Sequence, residues 1–287
     1  MKWRMKMTND NKYLEKLHNE ILSIMDFVND ICKKNEIKYY LVGGSLLGAI
    51  RHKGFIPWDD DLDIAMSRVD LERFINLFGE SCSIGNYYIK SKYNDITYKF
   101  GFAKVFKKDT IFKEYEDYEW PIFLDIFVLD ETDGYSKKLN STYKYYERLE
   151  NMRIRKNEHN DKSLKTFFSK LMASRDYNQV LKKSIAKNNG EKEAYYTNFF
   201  SQYGVKRQTM PKNWYGKGVE REFEGRKYMV PIEYEKFLTQ LYGANYMEVP
   251  PVEKRRTHYP LYVKFSDGEE MYFEKTDKKV TIEDTLR

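Results

Sequence analysis

Cysteine is scarce in this chain: there are two among 287 residues, Cys32 and Cys82. Neither sits in a spacing that ligates zinc, so a disulfide framework and a cysteine metal site are excluded and a reducing, cytosolic compartment is expected. Long apolar runs are missing too. No window approaches the ~18 apolar residues of a membrane span, and no apolar stretch follows the basic start MKWRMKMTNDNK, so neither a transmembrane helix nor a signal peptide is expected. Fixed-period repeats, low-complexity tracts and recognised RNA-binding motifs are likewise absent. What the chain does hold is an apolar content of 41 % and a charged content of 33 %, a globular composition with length enough to bury a core. Fifty Lys and Arg against 44 Asp and Glu leave a net charge of +6, which favours anionic partners without singling out nucleic acid.

Leu14, Leu17, Ile21, Met25, Val28 and Ile31 recur at steps of three and four and predict one amphipathic packing helix over about 11–34. The run Tyr39 to Val42, then Gly43-Gly44, then Ser45 to Ile50 reads as strand, tight turn and short helix. A second strand is expected over Asp61 to Met66, with Ser67 as the N-cap of a helix closing near Gly79. Residues 87–128 hold three or four short strand-like runs, the clearest being Ile122 to Val128, so the first 130 residues predict an α/β unit. Between 151 and 192, eleven Lys and Arg face four Asp and Glu on a helical apolar spacing. That pattern is a solvated helical face, or a dock for an anionic glycan or the inner membrane surface. Further on, a strand is expected around 223–230, a helix around 233–242, and a polar tail after Tyr262.

Chemistry concentrates in Trp58-Asp59-Asp60-Asp61-Leu62-Asp63-Ile64-Ala65-Met66. Alternation along a strand puts Asp61 and Asp63 on one side, their stems ~7 Å apart, and their repulsion calls for a cation between them. Mg²⁺ or Mn²⁺ suits such hard oxygen ligands. Asp125, between Leu124 and Ile126, is a lone charge in an apolar run and must be paired, protonated or metal-bound. Beside the Asp61 strand it would complete a three-carboxylate site. Gly43-Gly44-Ser45, where a strand feeds a helix, offers a phosphate seat: close backbone approach, a hydroxyl and helix N-terminal amides. A dinucleotide loop would need glycine at position 45 and leaves Asp125 unexplained.

In this order, Gly43-Gly44-Ser45, Asp61-Leu62-Asp63-Ile64 and Leu124-Asp125-Ile126 resemble the signature of the nucleotidyltransferase (DNA polymerase β-like) superfamily. More narrowly, GGSLLGAIRHKGFIPWDDDLDIAM at 43–66 resembles the core motif of the LicD family of phosphotransferases, with FLDIFVLD at 123–130, FEG at 223–225 and LYGANYMEVPP at 241–251 similar too. The family's Thr after the second glycine is Ser45 here, which keeps a hydroxyl.

The resemblance implies a nucleotidyltransferase-like α/β (α+β) fold: a small mixed sheet flanked by helices over 1–130, a helical basic acceptor-side segment over 131–210, and a C-terminal part, 211–287, packing on the core. It implies transfer of a phospho-alcohol, typically phosphocholine from CDP-choline or another CDP-alcohol, to a hydroxyl of an anionic or lipid-linked glycan such as a lipopolysaccharide, teichoic acid or capsule precursor. Carried over, Asp61, Asp63 and Asp125 would bind the metal, Asp125 completing the site or acting as base. Gly43, Gly44 and Ser45 would hold phosphate, and Asp59 and Asp60 would orient from behind. Arg51 and Lys104 are candidate phosphate partners, with Arg255 and His258 near a nucleotide or acceptor phosphate. The expected location is cytoplasmic or peripheral at the inner face of the membrane, with no nucleic acid as partner. Two other readings compete: template-independent nucleotide addition to a small molecule, protein or RNA, and a degenerate relative that binds a nucleotide or glycan without turnover.

Overall fold

The spacing that predicts a first helix is realised in α1, Lys2–Lys34. Leu14, Leu17, Ile21, Met25, Val28 and Cys32 are buried along it. The computed structural model describes residues 2–95, 98, 100–115, 118–137, 139–141, 144, 194–255 and 260–273, with side chains from residue 12 onward except at 115, 118 and 253. The basic stretch 151–192 and His258 lie outside the described residues.

Two short strands flank the next helix: β1, Tyr40–Leu41, then α2, Gly43–Arg51, then β2, Asp63–Ser67. The two glycines are not a separate turn, since they form the first residues of α2. The first of them, Gly43, takes φ +57, a left-handed conformation that glycine adopts without a Cβ penalty. The second strand starts two residues later than the spacing predicts, leaving Asp61 just before it. Helix α3, Arg68–Asn76, opens on the expected cap, Ser67 Oγ accepting from the Asp70 amide. Strands β3, Ser83–Ile84, β4, Tyr87–Lys90, β5, Ala103–Lys107, β6, Ile111–Tyr115, β7, Tyr118–Trp120, and β8, Phe123–Thr132, follow.

An eight-stranded mixed sheet forms among the described residues in the path β1-β2-β8-β5-β4-β3, extended from β8 by β9, Tyr195–Thr197, and β10, Thr209–Pro211. Its parallel contact is β2 against β8. On one face Ile64, Met66, Val105, Leu124, Ile126 and Val128 are buried, and α1 and α3 pack there. The opposite face carries the polar row described below.

Two small helices, α4, Gly204–Gln208, and α5, Lys212–Tyr215, lead to the hairpin β11, Val219–Phe223, and β12, Arg226–Val230, and to α6, Tyr234–Tyr242. The tail after Tyr262 is not simply polar and loose. It supplies β13, Tyr262–Lys264, and β14, Glu270–Tyr272, which join β6 and β7 in a second, four-stranded sheet. Val263 and Phe265 anchor that segment by burial. Glu20 of α1 holds it by accepting from the Ser266 amide and hydroxyl. Tyr13, Tyr39, Tyr215 and Tyr228 are fully buried, so part of the large tyrosine content is core.

One ion pair ties α3 to the sheet. Arg68 meets Asp130 of β8 with both Nε and Nη2, the latter at 2.8 Å, and the Asp130 side chain is 1 % exposed. Removing the guanidinium would strand a buried carboxylate, a loss of about 3–5 kcal/mol, whereas apolar replacement of both partners is commonly near neutral. Arg68→Ala should therefore lower the free energy of unfolding in urea by about that amount, and Arg68→Met with Asp130→Leu should recover most of it. Equal losses in the single and double variants would contradict this assignment.

Candidate active site

Parallel pairing of β2 with β8 places Asp63 directly opposite Asp125. The antiparallel neighbour β5 adds Lys104 opposite Asp125, and β4 adds Lys90 opposite Lys104. Directly opposed residues share a face of the sheet, so Asp63, Asp125, Lys104 and Lys90 form one row across four strands, spaced by ~4.8 Å per strand. Asp61 belongs to the same group through its electrostatic coupling to Asp63. Sixty-two residues of sequence separate Asp63 from Asp125, and strand register removes that distance.

Burial raises the pKa of Asp61 well above the usual carboxylate range, and the charges of Asp63, Asp59, Asp60 and Asp125 add to it. Asp63 is raised by burial and then by Asp125 and Asp59, with Lys104 opposing. Asp125 is raised by burial although Lys104 pulls it down. Lys104 Nζ lies 2.5 Å from Asp125 Oδ1, with the two side chains 7 % and 13 % exposed. The rings of Phe123, Phe100 and Phe102 surround that ammonium, the first with its centroid 3.4 Å away. Lys104 is thus a counter-ion to Asp125.

The glycine seat abuts the acids. A Cβ on Gly44 would stand 2.7 Å from Asp59 Oδ2, so only glycine leaves that carboxylate its place. Val42, at the N-cap of α2, makes no side-chain cap bond, and the Asp59 carboxylate lies against this first turn. Ser45 is buried, and its Oγ accepts from the Asp63 amide at 2.7 Å, which fixes the start of β2 against α2. Asp60 is buried behind the loop.

Other candidates turn elsewhere. Arg51 donates from Nη1 to the carbonyls of Tyr246 and Glu248, each at 3.0 Å, and from Nε to His52. It straps the 246–248 turn to α2 rather than facing the carboxylates. Arg255 stacks on Trp58 at 4.5 Å and donates to the Pro250 carbonyl.

Three residues enter that the motif reading does not name. His18 of α1 donates from Nε2 to the Asp59 carbonyl at 2.7 Å and stacks on Phe55, centroids 3.8 Å apart. Burial lowers its pKa, keeping the ring neutral. Its place one turn from Leu14 and Ile21 was the available signal. Tyr203 and Tyr242 lie near Asp59 and Asp63, whose charges help to hold both phenols neutral. Tyr242 falls inside LYGANYMEVPP, whereas nothing in the sequence around Tyr203 marks it.

Three carboxylates, with Lys104 beside Asp125, form a hard-oxygen donor set carrying surplus negative charge, which suits a divalent cation. Among the described residues no three ligating side chains are already drawn round one point. Lys104 bridges Asp125 from the side away from Asp63.

The raised carboxylates give a stability test with a definite sign. Because their folded pKa values exceed the unfolded ones, the metal-free fold loses stability as pH rises above the usual carboxylate range. In EDTA at pH 7, Asp63→Asn should therefore melt higher than the wild type, by about 2–4 °C for each kcal/mol of repulsion relieved. The gain should vanish as pH falls into that range, and a variant that melts lower at pH 7 would contradict the electrostatic reading.

Against known proteins, the family model described as LicD/FKTN/FKRP, nucleotidyltransferase domain, matches residues 36–157. The lipopolysaccharide cholinephosphotransferase LicD of Haemophilus influenzae is 31 % identical over 249 residues, covering 83 % of this chain and 92 % of that protein. Shorter similarities include an uncharacterized protein of Rickettsia typhi, 40 % identical over 71 residues, 25 % of this chain and 23 % of that one. The human ribitol 5-phosphate transferase FKRP is 42 % identical over 45 residues, 16 % of this chain and 9 % of its own length. With carboxylates, glycine seat and an alignment along most of both chains in agreement, this chain belongs to the LicD family of phosphotransferases.

Proposed function

We propose that this protein transfers phosphocholine from CDP-choline to a hydroxyl of a lipopolysaccharide or related cell-surface glycan precursor, in a reaction that depends on a divalent metal. The observation that carries the reading is the in-register pairing of Asp63 with Asp125 beside the glycine-lined start of α2. Support for the transferred group and the acceptor comes from the Haemophilus relative, a lipopolysaccharide cholinephosphotransferase that aligns along nearly its whole length. Ethanolamine, glycerol or ribitol phosphate as the transferred group, and teichoic acid or capsule as acceptor, are variants of the same chemistry.

Asp61, Asp63 and Asp125 would hold Mg²⁺ or Mn²⁺, which supplies a Lewis acid for the phosphoryl oxygens. The acceptor oxygen attacks the phosphorus that bears choline, a new P–O bond forms, the anhydride bond to CMP breaks, and CMP leaves with the electron pair. Asp125 is placed to take the hydroxyl proton when Lys104 does not hold it, or else to complete the ligand set. Gly43, Gly44 and Ser45 give the anion a close approach to the amides of α2. His18, Ser45 and Asp59 act from behind by fixing the acidic loop. Among the described residues no helix is long and apolar enough to cross a membrane. We place the enzyme at the cytoplasmic face, meeting a lipid-linked anionic acceptor there, with no nucleic acid as partner.

A second reading, template-independent nucleotide addition, is favoured by the nucleotidyltransferase description of the matching domain. Products separate the two. With a panel of CDP-alcohols, Mg²⁺ and candidate glycans, the first reading predicts release of CMP, and Asp61→Asn should reduce it by about 10²-fold or more, the scale of losing one preorganised electrostatic stabiliser. Cytidylate retained on the acceptor would favour the second reading, and full activity in Asp61→Asn would overturn the role given to the acids.

A further inference from the structure

At the α2 end of the site, carboxylates outnumber donors among the described residues. Asp59, Asp61 and Asp63 can only accept when ionised. Arg51 is turned to carbonyls, Lys104 to Asp125, and Ser45 Oγ accepts from the Asp63 amide. A diphosphate approaching the amides of α2 must find its remaining hydrogen bonds elsewhere.

Tyr242 closes α6, a helix that packs against both α2 and α4. Tyr203 immediately precedes α4. Their rings meet nearly edge to face, centroids 5.4 Å apart, and Tyr203 Oη donates to Tyr242 Oη at 3.3 Å. That bond leaves the Tyr242 proton to point onward, and a hydroxyl that accepts one bond is a better donor of the next. Burial is the first cause that keeps both phenols protonated, and the charges of Asp59 and Asp63 reinforce it in each. The pair stands as neutral donors near Asp59 and Asp63, with Tyr242 on a helix that packs against α2.

Resting on the phosphocholine-transfer reading, we propose that Tyr242, braced by Tyr203, donates its hydroxyl proton to a non-bridging oxygen of the donor diphosphate and shares that anion with the N-terminal amides of α2. Position favours the donor over the acceptor: the tyrosines neighbour Asp59 and Asp63, with Tyr242 on a helix packed against α2, whereas Lys104 and its phenylalanines sit at Asp125. A neutral hydroxyl orients the diphosphate without adding positive charge that would retain the released nucleotide.

The test is calorimetric titration of the full chain, with Mg²⁺, by inorganic pyrophosphate, CDP-choline and cytidine, comparing wild type with Tyr242→Phe and Tyr203→Phe. The expected result is a loss of roughly 3–10-fold in affinity for pyrophosphate and CDP-choline in Tyr242→Phe, the scale of one neutral hydrogen bond. A smaller loss is expected in Tyr203→Phe, with cytidine binding and melting temperature unchanged in both. Unaltered pyrophosphate affinity in Tyr242→Phe, or an equal loss for cytidine, overturns the inference. Tyrosine-dependent pyrophosphate binding in a wild type that ignores CDP-choline upholds the clamp and overturns the phosphocholine reading. A wild type that binds neither overturns both.

Discussion

Two parallel strands in register force Asp63 and Asp125 into neighbouring places on a partly buried sheet face, and Asp61 joins them from the adjoining loop. Elsewhere the fold treats buried charge differently. Asp130, five residues along β8 from Asp125, is met by the two-pronged guanidinium of Arg68 and so neutralised in place. The group of Asp61, Asp63 and Asp125 has Lys104 as counter-ion at Asp125 alone, an imbalance that a protein keeps only at a cost in stability. That retained charge is the physical basis for reading the site as a cation-dependent phosphoryl-transfer centre.

Much of the surrounding architecture keeps the acids where the strands put them. Ser45 Oγ holds the amide of Asp63, His18 holds the carbonyl of Asp59, and Gly44 leaves room for the Asp59 carboxylate. Arg51 fastens the turn that follows α6, and Glu224 Oε1 accepts from the Phe55 amide at 3.1 Å, pinning the loop that leads from α2 to the acids. The chain contributes to this frame from its first helix to its fourteenth strand, since α1 meets the turn before β14 through Lys16 and Glu20. Positioning is spread over distant segments, while the acids themselves occupy a short stretch and one strand.

Hydrophobic periodicity and the acidic strand were legible in the sequence because each is a local pattern: α1, the Ser67 cap, β8, the strand β12 and α6 follow from spacing alone, whereas β11, at Val219–Phe223, was not separated from it. The pairing of β2 with β8 was legible only through the logic of Asp125, a charge in an apolar run that needed a partner. Contacts made by side chains far apart in sequence were not legible. Arg51 and Lys104 read as phosphate partners because both are cations near the motif, yet tertiary neighbours decide their use: two carbonyls of the 246–248 turn for one, the adjacent strand's carboxylate for the other. Strands β13 and β14 are three residues each, too short for alternation to stand out in a polar tail. Tyr203 carries no local sign of its place near the acids, while His18 is marked only by the spacing of α1 and Tyr242 only by its motif.

Crystals soaked in Mn²⁺ and measured for anomalous scattering at the manganese edge test the central claim most directly. The account predicts a peak within ligand distance of the side chains of Asp61, Asp63 and Asp125, with the Lys104 ammonium released from Asp125. Manganese bound elsewhere, or a carboxylate at position 125 still closed on Lys104 while the metal sits with other ligands, would contradict it.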